Sequence, residues 1–346
     1  MAEAVYRESS VMSELKTKPE SGSPPETPAA RSAPDFSAAS QPSYARSLFL
    51  GQEGLRPGWG FALYVAMFFP LQRLAVGLAS SSDSDVSGLW SMMLAEFGIL
   101  IAAIIPALVL AQIERRAWGV YGLPGRHAFG KLFWLGALWG FAGISLLMFS
   151  LHTLNAFDFG HIALHGARMA KFTVFWAATF LLVGLSEEFR FRGYTQFTLG
   201  RGIGFWPSAA MLSATFGVIH LGNEGEDWTG VLGAACIGLF FCLTLRRTGS
   251  LWFAVGFHAA WDWGETFFYS VPDSGMVAPG HLFSSSLHGK PWLTGGTVGP
   301  EGSVLCFVVM ALTWIAFDRV YPGVNRGRTS LPLQRATDSS SLRSSE

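Results

Sequence analysis

The sequence predicts an all-α, polytopic membrane protein with about eight transmembrane helices, and three observations predict it. Half of the 346 residues are apolar and 14% are charged, against about 25% charged in an ordinary soluble domain; the mean hydropathy is +0.34. Eight stretches approach the ~20 mostly apolar residues that cross a bilayer. The basic residues concentrate in alternate loops between those stretches, which is the pattern that sets orientation.

In chain order the spans are expected at about 58–79, 89–112, 132–155, 171–198, 205–222, 228–245, 250–270 and 302–320. The first contains Arg73 and the second Glu96, so neither is purely a lipid-facing anchor. Between the second and third, RRAWGVYGLPGRHAFGK (115–131) is broken by Pro124 and glycines and is too polar to span. It is expected at the interface, with Trp118 and Tyr121 at headgroup level. Residues 271–300, rich in Gly, Ser and Pro, read as an irregular loop.

The loop SSSDSDVS after the first span has no Lys or Arg, whereas Arg115, Arg116, Arg126 and Lys131 follow the second. NEGEDW after the fifth is acidic, Arg246 and Arg247 follow the sixth, and Arg319, Arg326 and Arg328 follow the last. This alternation predicts both termini in the cytoplasm. The chain then divides into a polar tail (1–55), three spans with an interfacial segment (56–170), a core (171–270), an extracytoplasmic loop (271–300), a last span (301–322) and a second tail (323–346). Both tails lack the apolar residues needed to bury surface and are expected to be disordered, and the first does not read as a signal peptide. Zero net charge gives no reason to expect nucleic acid as a partner. Cys236, Cys242 and Cys306 sit in apolar runs without zinc or disulfide spacing, so they read as small buried hydrophobes.

The fourth span contains LLVGLSEEFRFRGYTQ (181–196), with Glu187, Glu188, Arg190 and Arg192 in an otherwise apolar run. A charge at bilayer depth costs at least ~2.5–3.5 kcal/mol, so such residues face inward and pair. The fifth span carries Phe216 and His220, and the seventh His258 and Asp262 with Glu265 one turn on. Glu188 and Arg192 stand four apart on one helix face and are expected to form an ion pair. Glu187, about 100° round the helix, has no local partner by spacing and is the candidate free base. Arg190 is expected to reach toward headgroups. Asp262, four residues after His258, can accept one ring N–H and leave the other nitrogen more basic. Two carboxylates, two histidines and an orienting aspartate in a dry cavity can activate water. They can equally hold a divalent metal, zinc being the natural choice, through one glutamate and both histidines. The residues alone leave both mechanisms open.

Glu-Glu-x-x-x-Arg, Phe-x-x-x-His and His-x-x-x-Asp, in this order and each on its own predicted helix, resemble the motif set of the CPBP intramembrane proteases, which comprise the type II CAAX prenyl proteases and the bacterial Abi family. The resemblance covers about residues 172–265. It implies an all-helical intramembrane endopeptidase with Glu187, Glu188, Arg192, His220, His258 and Asp262 as catalytic residues, and Glu187 with His220 preparing the attacking water. It leaves open a zinc-type metal on Glu187, Glu188, His220 and His258 or a metal-free glutamate mechanism. It also implies a bacterial inner membrane, and as substrate a secreted peptide, a membrane-protein tail or a bacteriocin-related peptide rather than a prenylated protein. The competing readings are a proton-coupled transporter, which needs two repeated halves that the sequence does not show, and a catalytically idle scaffold or immunity protein. One feature of the topology is awkward. His220 falls near the outer end of its span while Glu187 is mid-helix, so a shared site requires the fifth helix to be short, tilted or deeper.

Overall fold

The computed structural model describes residues 48–51, 54–80 and 87–323. The two predicted tails lie outside the described residues except where they adjoin the helices, as does most of the SSSDSDVS loop. At the edge of the first tail, Leu50–Gly51 (β1) pairs antiparallel with Gly54–Leu55 (β2).

Each predicted span is a helix: α1 (Pro57–Ser80), α2 (Ser87–Ile113), α3 (Lys131–Thr153), α4 (Gly166–Arg192), α6 (Phe205–Ile219), α7 (Trp228–Thr248), α8 (Trp252–Asp262) and α9 (Val304–Val320). The ten-residue α5 (Tyr194–Ile203) follows α4 after a break at Gly193. The protein is therefore an all-α polytopic membrane protein, and five of its helical segments are long and apolar enough to cross a bilayer. The short α6 is not among them. Its 15 residues rise about 22 Å, less than the ~30 Å hydrocarbon core.

That shortness resolves the awkward depth of His220. The chain turns back at Gly204, whose φ of 90° suits glycine. Glu188 precedes this turn by as many residues as His220 follows it, and α5 packs along α6. The hairpin thus brings the two to the same level. α6 ends there because the C-terminal histidine enters a 3₁₀ turn, His220–Gly222.

α8, which carries His258, is held by the closest helix contact in the molecule's core. Gly136 and Gly140 on α3 lie against the carbonyl oxygens of Phe253 and Phe257, and Gly256 of α8 lies against that of Phe133. Small residues four apart let two backbones approach this closely, which drives helix association in lipid. After Asp262 the helix widens into a π-helical turn, Trp263–Phe268. The loop that follows is tied down: Ser286–Leu287 (β4) pairs antiparallel with Phe157–Asp158 (β3), and Trp176 Nε1–H donates to the Gly280 carbonyl at 3.2 Å.

Three expectations are corrected. Tyr121 is buried, at 2% exposure, because its ring packs against Tyr194 and Phe197 of α5; Trp118 beside it is exposed. Arg190 does not reach outward. Its guanidinium stands 3.6 Å from Glu187 Oε1 and over the ring of Phe68 at 5.8 Å. Cys236 is half-buried, while Cys242 and Cys306 are buried as expected.

Candidate active site

The motif residues meet at one cavity of about 300 Å³ lined by α2, α4, α6, α7, α8, α9 and the loop before α9. Glu187, His220, His258 and Asp262 line it; Glu188 and Arg192 do not. The six residues therefore separate into two layers.

The hidden layer is a charge relay of fixed geometry. Glu188 and Arg192 have fully buried side chains, with Arg192 Nη1 donating to Glu188 Oε1 at 3.1 Å. Arg192 lies over the Phe216 ring at 4.4 Å, a cation–π contact in a water-poor setting. The same Glu188 Oε1 receives His258 Nδ1 at 3.0 Å. An ionised carboxylate can only accept, so Nδ1 carries the hydrogen and the His258 ring is locked. Phe241 stacks on that ring at 5.6 Å.

The exposed layer faces the cavity. The Glu187 side chain is 18% exposed, against 0% for Glu188. Its Oε1 lies 3.6 Å from Arg190 and its Oε2 3.7 Å from His258 Nε2, both beyond hydrogen-bond length, so its acceptor sites remain open to the cavity. The expectation that Glu187 has no local partner is thus modified: Arg190, three residues on, neutralises it without occupying its oxygens. His258 Nε2 also lies 3.4 Å from Asp262 Oδ2. Asp262 was expected to hold one ring nitrogen and leave the other free; instead both nitrogens of His258 face carboxylates. His220 has the free nitrogen. Its Nδ1 is 2.6 Å from the Phe216 carbonyl oxygen, which can only accept, so Nδ1 is the donor and Nε2 keeps its lone pair when the ring is neutral.

Of the four predicted metal ligands, Glu187, His220 and His258 line the cavity and Glu188 does not. Glu188 lies behind the wall with one oxygen committed twice. Among the described residues, the grouping of three donors within 4.8 Å is Glu265, Asp273 and Glu301, not Glu187, Glu188, His220 and His258.

Several cavity residues escaped the motif reading. Glu96 of α2 lines the cavity and accepts from Ser186 Oγ at 3.0 Å; its signal was a charge within an apolar span. Asn223, Asp273, Ser274 and Glu301 also line it. They sit in loops with no periodicity, and no sequence signal marked them.

A family model described as Rce1-like, "Type II CAAX prenyl endopeptidase Rce1-like", matches residues 169–264. That is a little over a quarter of the chain, and it contains all three motifs. Over this segment the chain is similar to the Rce1-like type II CAAX prenyl endopeptidases, and the segment is set in an integral membrane protein. No curated protein matches the chain, and no solved structure does.

Proposed function

We propose that the protein is an intramembrane endopeptidase that cleaves a peptide bond of a membrane-associated protein or peptide with a water activated by Glu187. The carrying observation is that Glu187, alone of the motif glutamates, faces the cavity beside His220 and His258 with its oxygens unoccupied. Glu187 takes a proton from water as the oxygen attacks the peptide carbonyl carbon. The tetrahedral intermediate then expels the amine, and Glu187 returns the proton to the leaving nitrogen. His220 Nε2 accepts from the same water and orients its lone pair toward the carbonyl. His258, protonated at Nε2 as well as Nδ1, donates its Nε2–H to the developing oxyanion, with Asp262 holding that edge. Glu188 and Arg192 act through His258 as positioning residues. The steps are written with the chain's own residues, and none is assigned to a metal.

The charge alternation supports both termini in the cytoplasm, and the family resemblance is the ground for a bacterial inner membrane and a peptide substrate rather than a prenylated protein. The test compares membrane peptides from cells making wild type and Glu187→Gln at equal abundance. Peptides released by the wild type alone support the reading and name the substrate. Identical profiles from a folded, inserted variant overturn it and leave the transporter or scaffold.

A further inference from the structure

Beyond the motif cluster a second group of acids, contributed by three separate segments, stands at the cavity wall: Asp273 and Glu301 line the cavity and Glu265 is buried beside them. Glu265 lies on the π-helical turn after α8, Asp273 in the following loop, and Glu301 on the 3₁₀ turn Pro300–Gly302 before α9. One oxygen from each lies within 4.8 Å of the others. Glu265 is 0% and Asp273 8% exposed. Among the described residues none of the three is in an ion pair, and no lysine or arginine lines the cavity.

The surrounding donors organise these carboxylates without neutralising them. Trp261 Nε1–H is shared between Glu265 Oε2 at 2.9 Å and Glu301 Oε1 at 3.1 Å. The Ser274 hydroxyl donates to Glu301 Oε2 at 2.7 Å, and the Thr266 hydroxyl to Asp273 Oδ2 at 2.9 Å. Glu265 Oε1, fully buried, has no partner. An unserved carboxylate oxygen in a water-free position is costly, and here it sits within a cluster of like charge. That cost is relieved by a proton or by a cation. One cation bridging the three carboxylates relieves them together, and the unserved Glu265 Oε1 is an oxygen free to ligate it. A π-turn is itself a rare device that tends to mark functional positions.

We propose that Glu265, Asp273 and Glu301 form an all-oxygen site for a hard divalent cation of the Ca²⁺ class, separate from the water-activating carboxylate. Oxygen-only donors select such ions over zinc. The ion ties the loop after α8 and the turn before α9 to the end of α8, and so fixes the wall formed by Asp273, Ser274 and Glu301. The inference does not rest on the protease reading. If that reading is right, a chelator slows cleavage through this wall while the attacking water stays metal-free.

The test uses the full chain in detergent, stripped with a chelator that is then removed, and Tb³⁺ as the probe. With Trp261 in contact with two of the ligands, indole excitation sensitises terbium emission. The expected result is emission that Ca²⁺ displaces, together with a rise in Tm on adding Ca²⁺. Asp273→Asn and Glu301→Gln each weaken binding on the order of tenfold, and the double variant abolishes it. Trp261→Phe loses emission but keeps the Ca²⁺-dependent Tm shift, and Glu187→Gln keeps both. The proposal is overturned by emission that persists unchanged in the double variant, by the absence of any Ca²⁺-displaceable emission or Tm shift in the wild type, or by loss of emission in Glu187→Gln. Removing mutually repelling charges does not threaten folding, and a Tm measured without cation checks this for each variant.

Discussion

The two ends of the cavity treat buried negative charge differently. At the motif end the three motif carboxylates each have a basic group within 4 Å, Glu187 having Arg190, Glu188 having Arg192 and His258, and Asp262 having His258, while Glu96 beside them accepts from Ser186. At the loop end Glu265, Asp273 and Glu301 have hydroxyl and indole donors only. The motif end is built on helices, where a partner three or four residues away is on the same face. The loop end is assembled from the π-turn, the loop that follows it and the turn before α9, and nothing local supplies a counter-charge. Compensation from within the chain pairs the motif charges when folded, although Glu188 Oε2 and Arg192 Nε and Nη2 find no hydrogen-bond partner among the described residues. Its absence gives a site that something else completes.

Four substitutions probe this contrast. The largest effect is expected for Glu187→Gln, which should lower cleavage by ~10²–10⁴-fold while leaving the Tm near that of the wild type; a Tm collapse would place Glu187 with the structural pairs instead. Next, Arg192→Met should cost about 3–5 kcal/mol of stability, because it removes the buried guanidinium and leaves Glu188, at zero exposure, with His258 as its remaining partner. Adding Glu188→Gln should recover part of that loss, measured as Tm in the same detergent. At the other end the sign should reverse: without divalent cation, Glu301→Gln should raise stability by ~0.5–2 kcal/mol. A loss there would mean the loop acids are already satisfied and the two ends are alike.

The smallest effect concerns a carboxylate served by neither route. Asp227 caps α7, accepting from the Thr229 hydroxyl and from the Thr229 and Gly230 N–H groups. Slight burial pushes its carboxyl up, but those three donors outweigh it and hold it below the usual carboxylate range. Asp227→Ala should therefore cost ~1 kcal/mol. Because the folded pKa is the lower one, the cap's contribution is present above the unfolded value of about 3.9 and is lost as pH falls through the folded value. The Tm difference between wild type and Asp227→Ala should thus be full at pH 6 and vanish in strong acid. A difference that persists in acid would assign the effect to packing.

The amino-acid sequence by itself determined the helices and the identity of the motif residues. Apolar runs of bilayer length give the spans, and polar residues within them stand out because lipid tolerates them so poorly. It also determined the Glu188–Arg192 pair, since spacing by four on a helix fixes a shared face whatever the surroundings. Tertiary structure alone decided the rest. Which of two adjacent glutamates faces the cavity depends on how α4 is rotated against α8, and spacing says only that they differ. His258 gave both nitrogens to carboxylates because Glu188 arrives from another helix, seventy residues away in sequence. His220 reached the depth of Glu187 because α6 stops short. Asp273 and Glu301 entered the cavity because their loops fold back over it, a long-range closure that leaves no periodic trace in the chain.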